Sequence, residues 1–214
     1  MSIKDMWKTN ALRLVLMIVV NLALMSVGSL PWMVLGLLVL LAGMYFAFRQ
    51  GMGFGHEACG ILDSVRRIQA SEGPGRDQLD DKVLARAWSP ECGLKGVLVS
   101  ALIPYVTGCI YIVAALLNLN AVLIPARVIA LILALPFWPI LIHWYETFDQ
   151  LRPAIAVLLM VSPFVLPACF YAGYMQGPRL WKRSEQAMAQ GLRRAKAKSR
   201  IVRKRTPKPQ KPEI

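Results

Sequence analysis

Charge is what this chain has least of. Asp, Glu, Lys and Arg make up only 17% of its 214 residues, against about 25% in a soluble domain. With 56% apolar residues and a mean hydropathy of +0.47, the shortage excludes a water-soluble globular domain. Acidic residues are scarcer still, 12 against 25 basic ones, and none lies deep in an apolar run. That argues against a carrier coupled to protons or sodium through a buried carboxylate. There is no P-loop, dinucleotide fingerprint, HExxH, nucleophile elbow or paired CxxC, so no cofactor is expected. A lipobox-like cysteine, a CaaX ending and a retention signal are also missing. What remains is an all-α, polytopic membrane protein with about five apolar segments, one polar loop and a basic C-terminal amphipathic helix.

The apolar segments set the organisation. Arg13 and Arg49 bracket 35 uncharged residues, about 52 Å as one helix against a hydrocarbon core of about 30 Å. Gly28, Ser29 and Pro31 supply a turn in the middle, which predicts a hairpin over 11–28 and 31–48. Further spans are predicted at 96–117, 121–144 and 154–175, the last interrupted by Pro163 and Pro167, where it kinks or turns back before crossing. The resulting division is an N-terminal tail and hairpin over 1–50, a polar loop with short helices over 51–94, the remaining spans over 95–176, a basic helix over 177–206 and a Pro-rich end over 207–214. The start imitates a signal peptide, but a second apolar run follows too closely for cleavage to be expected.

Counting cations does not orient five crossings, because the two faces then carry 11 and 14 basic residues. The tail decides. Residues 176–214 hold 13 basic and two acidic residues, and moving such a tail outward works against the membrane potential at about 2.3 kcal/mol per charge per 100 mV. The tail is therefore expected in the cytoplasm, at a cell membrane. Either five segments cross from an external N-terminus, or one segment fails to cross, with the proline-broken 154–175 segment the better candidate.

Few residues suggest chemistry. His56 and His143 would share a membrane face if every segment before them crosses, and Glu57, Cys59 and Glu146 lie close to them in sequence. His, Glu and Cys ligate metals, and His/Glu pairs move protons, but the spacing matches no ligand motif. The plainer reading is an interfacial belt around His143 and a solvated helix end at His56. Gly51 to Gly55 resembles a phosphate loop only in composition and reads as a flexible exit from the second span. Within the fourth span lies Arg127, able to snorkel to the headgroups, and Asn21, Ser100, Tyr105, Thr107, Tyr111 and Ser162 are the other polar candidates in the spans. Small residues at Gly36, Gly43, Ala101 and Gly108 can admit close helix packing. Cys59 and Cys92 bracket the loop and could pair only if it were external.

The tail carries the most specific pattern. On a helix, Trp181, Met188, Leu192 and Ala195 fall within about 60° of one another, with Lys182, Arg183, Arg193, Lys196 and Arg200 on the other side and Arg194 and Lys198 adding charge. Such a segment suits an anionic surface, lipid of the inner leaflet ahead of RNA or the ribosome, with Trp181 as an interface anchor. The run His56-Glu-Ala-Cys-Gly60, the stretch from Gln78 through Ala87-Trp88-Ser89-Pro90, and the endings Gln176-Gly-Pro-Arg-Leu-Trp181 and Gln210-Lys-Pro-Glu-Ile214 resemble uncharacterised small polytopic membrane proteins of Gram-positive gut bacteria. The resemblance covers most of the chain and implies no activity. Three functional classes follow: a noncatalytic accessory or scaffold module, with or without a membrane-protein partner; a small transporter or transporter subunit; and a membrane enzyme using the His/Glu rim.

Overall fold

The computed structural model describes residues 3–24, 29–70, 81–84, 86–117, 120–137 and 152–205. Every regular element among them is helical: α1 (Ile3–Leu24), α2 (Ser29–Ala70), α3 (Asp81–Leu84), α4 (Pro90–Leu116), α5 (Asn120–Ala134) with a 3-10 turn at Leu135–Phe137, α6 (Arg152–Met175) and α7 (Gly177–Arg205). Four stretches, Ile3–Leu24, Pro31–Ala70, Pro90–Ala114 and Ala156–Lys196, are long and apolar enough to cross a membrane, as a multi-pass protein requires. Their outward side chains are apolar, with Leu12, Leu16, Phe46, Leu102 and Ile103 all more than half exposed. Water would not tolerate so large a contiguous apolar surface, whereas lipid does.

Contacts between helices fix their directions. Met17 lies against Gly43, and Arg13 reaches Gln50, so α1 and α2 are antiparallel. Met6 lies against Gly96, and Asn10 meets Ser100, so α4 runs parallel to α1. Tyr174, Phe164 and Leu159 of α6 meet Gly93, Tyr105 and Gly108 of α4 in that order, so α6 runs opposite to α4. It follows that α6 starts at the end of the bundle where α4 stops and α5 starts. Helices α1, α2, α4 and α6 therefore alternate in direction, and it is these that carry the four stretches long and apolar enough to cross a membrane.

Two expectations change. In the fourth apolar run, α5 is 15 residues long and is followed by a 3-10 turn whose Phe137 packs on Met17, Leu40 and Leu166, while residues 138–144 of that run lie outside the described residues. The proline-broken segment instead forms one helix from Arg152 to Met175 through Pro163 and Pro167. Pro163 has no N–H for the Leu159 carbonyl, and that carbonyl turns toward Gly108 of α4, where no side chain obstructs it. A neighbouring helix thus tolerates what would break an isolated one.

The second change is at the glycines. Helix α2 is continuous over 42 residues, about 63 Å, roughly twice the hydrocarbon thickness, so Gly51 to Gly55 is no flexible exit. Gly51 and Gly55 face the α6 backbone at Phe170 and Tyr174, and in return Gly173 and Gly177 face the α2 backbone at Phe48 and Gly55. Any Cβ at these four positions would overlap opposing backbone. This reciprocal spacing of four residues lets two parallel helices touch main chain to main chain. Ala47, Ala58, Phe170 and Tyr174 close the seam with Met6, and the Tyr174 hydroxyl is held by the Ser89 backbone. Ser89 also caps α4, accepting from the Cys92 N–H at 3.1 Å ahead of Pro90 and Glu91, which starts that helix six residues before the expected span.

Candidate membrane-interface site

Beyond the seam, α2 and α7 continue side by side. His56 Nε2 lies 3.2 Å from Ser184 Oγ, and its ring is 5.1 Å from that of Trp181. The Trp181 ring covers Gly60, and Ser184 donates to the Trp181 carbonyl at 2.7 Å. Further out, Arg67 pairs with Asp63 at 2.7 Å and approaches Glu185 at 3.9 Å. The basic helix is therefore held against the α2 extension by the close approach of Gly177 to Gly55, by the Trp181 ring over Gly60 and beside His56, by the His56–Ser184 contact and by a weak charge pair. Along it Lys182, Arg183, Arg193, Arg194 and Lys196 are exposed, as are Met188 and Leu192. Lys198 and Arg200 lie on the same helix.

Of the His/Glu rim, only His56, Glu57 and Cys59 fall among the described residues; His143 and Glu146 lie outside them. Glu57 is exposed and Cys59 is a buried free thiol, as are, with more exposure, Cys92, Cys109 and Cys169. Among the described residues no group of three His, Cys, Asp or Glu is placed to hold a metal ion. Arg127 lies on α5.

Asn10, Arg13, Gln50 and Ser100 form a hydrogen-bonded polar layer, and sequence reasoning found the polar residues inside the bundle only in part. Asn21 and Ser162 are buried as expected of span residues that cannot face lipid, and Ser100 is half buried. Missed were the buried Asn10 and Arg13 and their exposed partner Gln50. Arg13 is 9% exposed, donates to Asn10 Oδ1 at 2.9 Å and also to Gln50 Oε1. Asn10 donates in turn to Ser100 Oγ at 3.2 Å, which donates to the Gly96 carbonyl at 2.7 Å. One chain of hydrogen bonds thus ties α1, α2 and α4 together. The signal was present: Arg13 and Gln50 flank the hairpin's uncharged run and must come level when it folds, while Asn10 and Arg13 share a helix face at i and i+3.

Two concavities adjoin this layer. A cavity of about 170 Å³ lies among α1, α4, α5 and α6, apolar except for Asn10, Ser100 and Ser162. A groove of about 420 Å³ runs between α1 and α2 on the lipid side, with Arg13, Gln50 and Thr9 at one end and Leu16, Val20 and Val39 along it. No family model, no curated protein and no solved structure matches the chain.

Proposed function

We propose that this protein is a noncatalytic membrane module, an accessory or scaffold that presents a basic cytoplasmic helix to an anionic surface, chiefly the lipid of the inner leaflet. One observation carries the reading. All but two of the 25 Lys and Arg residues, Arg127 and Arg152, belong to segments attached to the same end of the four-helix bundle. Four crossings remove the near-equal count of the five-crossing scheme, and cation excess marks the cytoplasmic side. On that side each exposed basic residue near an anionic membrane contributes about 1 kcal/mol before screening, and Met188 and Leu192 supply an apolar edge for the headgroup boundary.

Orientation is tested by placing a single cysteine at Ser199 in a chain stripped of its four native cysteines. In intact cells it should resist an impermeant thiol reagent, and ready labelling would sink the assignment. Surface binding is tested by limited trypsin digestion of the whole protein in nanodiscs. Cleavage between Arg193 and Lys196 should slow about tenfold in anionic relative to neutral lipid at low salt, and that protection should vanish as salt rises past the range where the Debye length is about 10 Å. Equal cleavage in both lipids, or protection by RNA alone, would refute the lipid assignment. A second reading, a small transporter or transporter subunit, draws on the cavity bounded by Asn10, Ser100 and Ser162; solute flux into liposomes holding only this chain would favour it.

A further inference from the structure

Arg13 poses a problem of electrostatics that its neighbours do not solve. A guanidinium carries five N–H donors and a charge that is not lost in proteins. Here it is 9% exposed, held by the two neutral oxygens of Asn10 and Gln50, and among the described residues no carboxylate pairs with it. Buried charges are normally paired, because desolvation without a counter-charge is costly. Two amide oxygens orient the group and leave its charge uncompensated.

The surroundings indicate where an anion would come from. Arg13 is the last charge before the uncharged run of α1, level with Gln50 and next to the end of the matching run of α2 at Arg49. That is the depth at which an apolar hairpin meets the headgroups. From there the groove between the two helices leads into the bilayer past Leu16, Ala42 and Phe46 to Val20 and Val39. From Gln50 to Val39 it is about 16 Å long at 1.5 Å per residue. It is polar at the interface, apolar along its length and open to lipid, since Leu12, Leu16 and Phe46 are exposed on its rims.

We infer that this groove is a binding site for one anionic phospholipid, its phosphate on Arg13 and one acyl chain lying between α1 and α2. Charge complementarity selects the headgroup: Arg meets phosphate through paired N–H donors, and a zwitterionic lipid brings a cation of its own to the same place. The apolar length selects a lipid over free phosphate. The site is separate from the basic tail helix, which lies at exposed positions on α7, so either can fail without the other.

The test uses the full-length protein released from detergent and weighed by native mass spectrometry after mixing with phosphatidylglycerol, phosphatidylcholine or inorganic phosphate. One phosphatidylglycerol should be retained per chain in preference to phosphatidylcholine. Arg13→Gln should weaken that retention roughly tenfold to a hundredfold, the range for loss of a charge-assisted hydrogen bond. Ala42→Trp, which blocks the groove from its lipid side without touching the charge, should also abolish it, so the result does not hang on whether the Arg13 variant folds. A chain with Lys182, Arg183, Arg193, Arg194 and Lys196 all changed to Gln should keep the lipid; loss there would assign the binding to the tail and overturn the proposal. Equal retention of the neutral lipid, undiminished binding by Arg13→Gln, or displacement of the lipid by inorganic phosphate would each overturn it as well.

Discussion

The α2–α6 pair and the α4–α6 pair solve the same packing problem in different ways. Helices α2 and α6 run parallel and meet backbone to backbone through Gly51, Gly55, Gly173 and Gly177. Helices α4 and α6 run antiparallel and meet mainly through side chains, Tyr105 on Phe164 with rings 5.4 Å apart and Tyr171 and Tyr174 over Gly93. Among the glycines of α4, it is Gly108 that faces the α6 main chain, and there a Cβ would stand 3.2 Å from the Leu159 carbonyl oxygen. In lipid, apolarity cannot drive one helix onto another, since the tails are as apolar as leucine. What specifies a contact is shape, and the first seam uses shape with no slack while the second has room to adjust.

Adding one methyl group at a time probes that difference. Gly51→Ala places a Cβ into the Phe170 carbonyl, which is backbone and cannot rotate away. It should cost about 3 kcal/mol, the upper part of the range for overpacking, and lower the unfolding temperature of the purified protein accordingly. Gly108→Ala should cost about 1 kcal/mol, because a shift of a few tenths of an ångström suffices. Gly53→Ala, two residues from Gly51 but with nothing within 4 Å of its Cβ, should be neutral or stabilising by up to about 1 kcal/mol through helix propensity alone. If Gly51→Ala and Gly53→Ala behaved alike, the seam would not be there.

Much of this architecture was legible from residues and some was hidden for identifiable reasons. Apolar length located the hairpin, the span at 96–117 and the run at 154–175, and seven-residue spacing pointed to Gly43 and Gly108 as packing positions, where Met17 and Leu159 are found. The continuity of α2 was hidden because three glycines in five residues read as a breaker when helix propensity is the only guide. Their purpose depends on Gly173 and Gly177, more than 100 residues away. Segment 154–175 looked broken, since composition does not show whether a neighbouring helix leaves room for the carbonyl that a proline frees. Arg13 was counted as a topology charge, because its i, i+3 spacing from Asn10 and its place level with Gln50 mark a polar helix face without showing whether that face turns inward.

The smallest effect is expected furthest from either seam. Gly191 sits in α7 with nothing within 4 Å of its Cβ, between exposed Gln190 and exposed Leu192. No packing term opposes a side chain there, so only the backbone term is left. Gly191→Ala should stabilise the local helix by about 1 kcal/mol. The global unfolding temperature should barely move, because α7 is held to the bundle near Trp181 and Ser184 and its outer part can open on its own. Hydrogen exchange resolves the two. Amides on either side of residue 191 should exchange about fivefold more slowly in the variant, since each 1.36 kcal/mol is tenfold, while amides at Gly51 and Gly173 should be unchanged. Were the whole bundle to gain protection instead, α7 would be folding as one unit with the seam, and the division between a tightly fitted bundle and a loosely attached basic helix would be wrong.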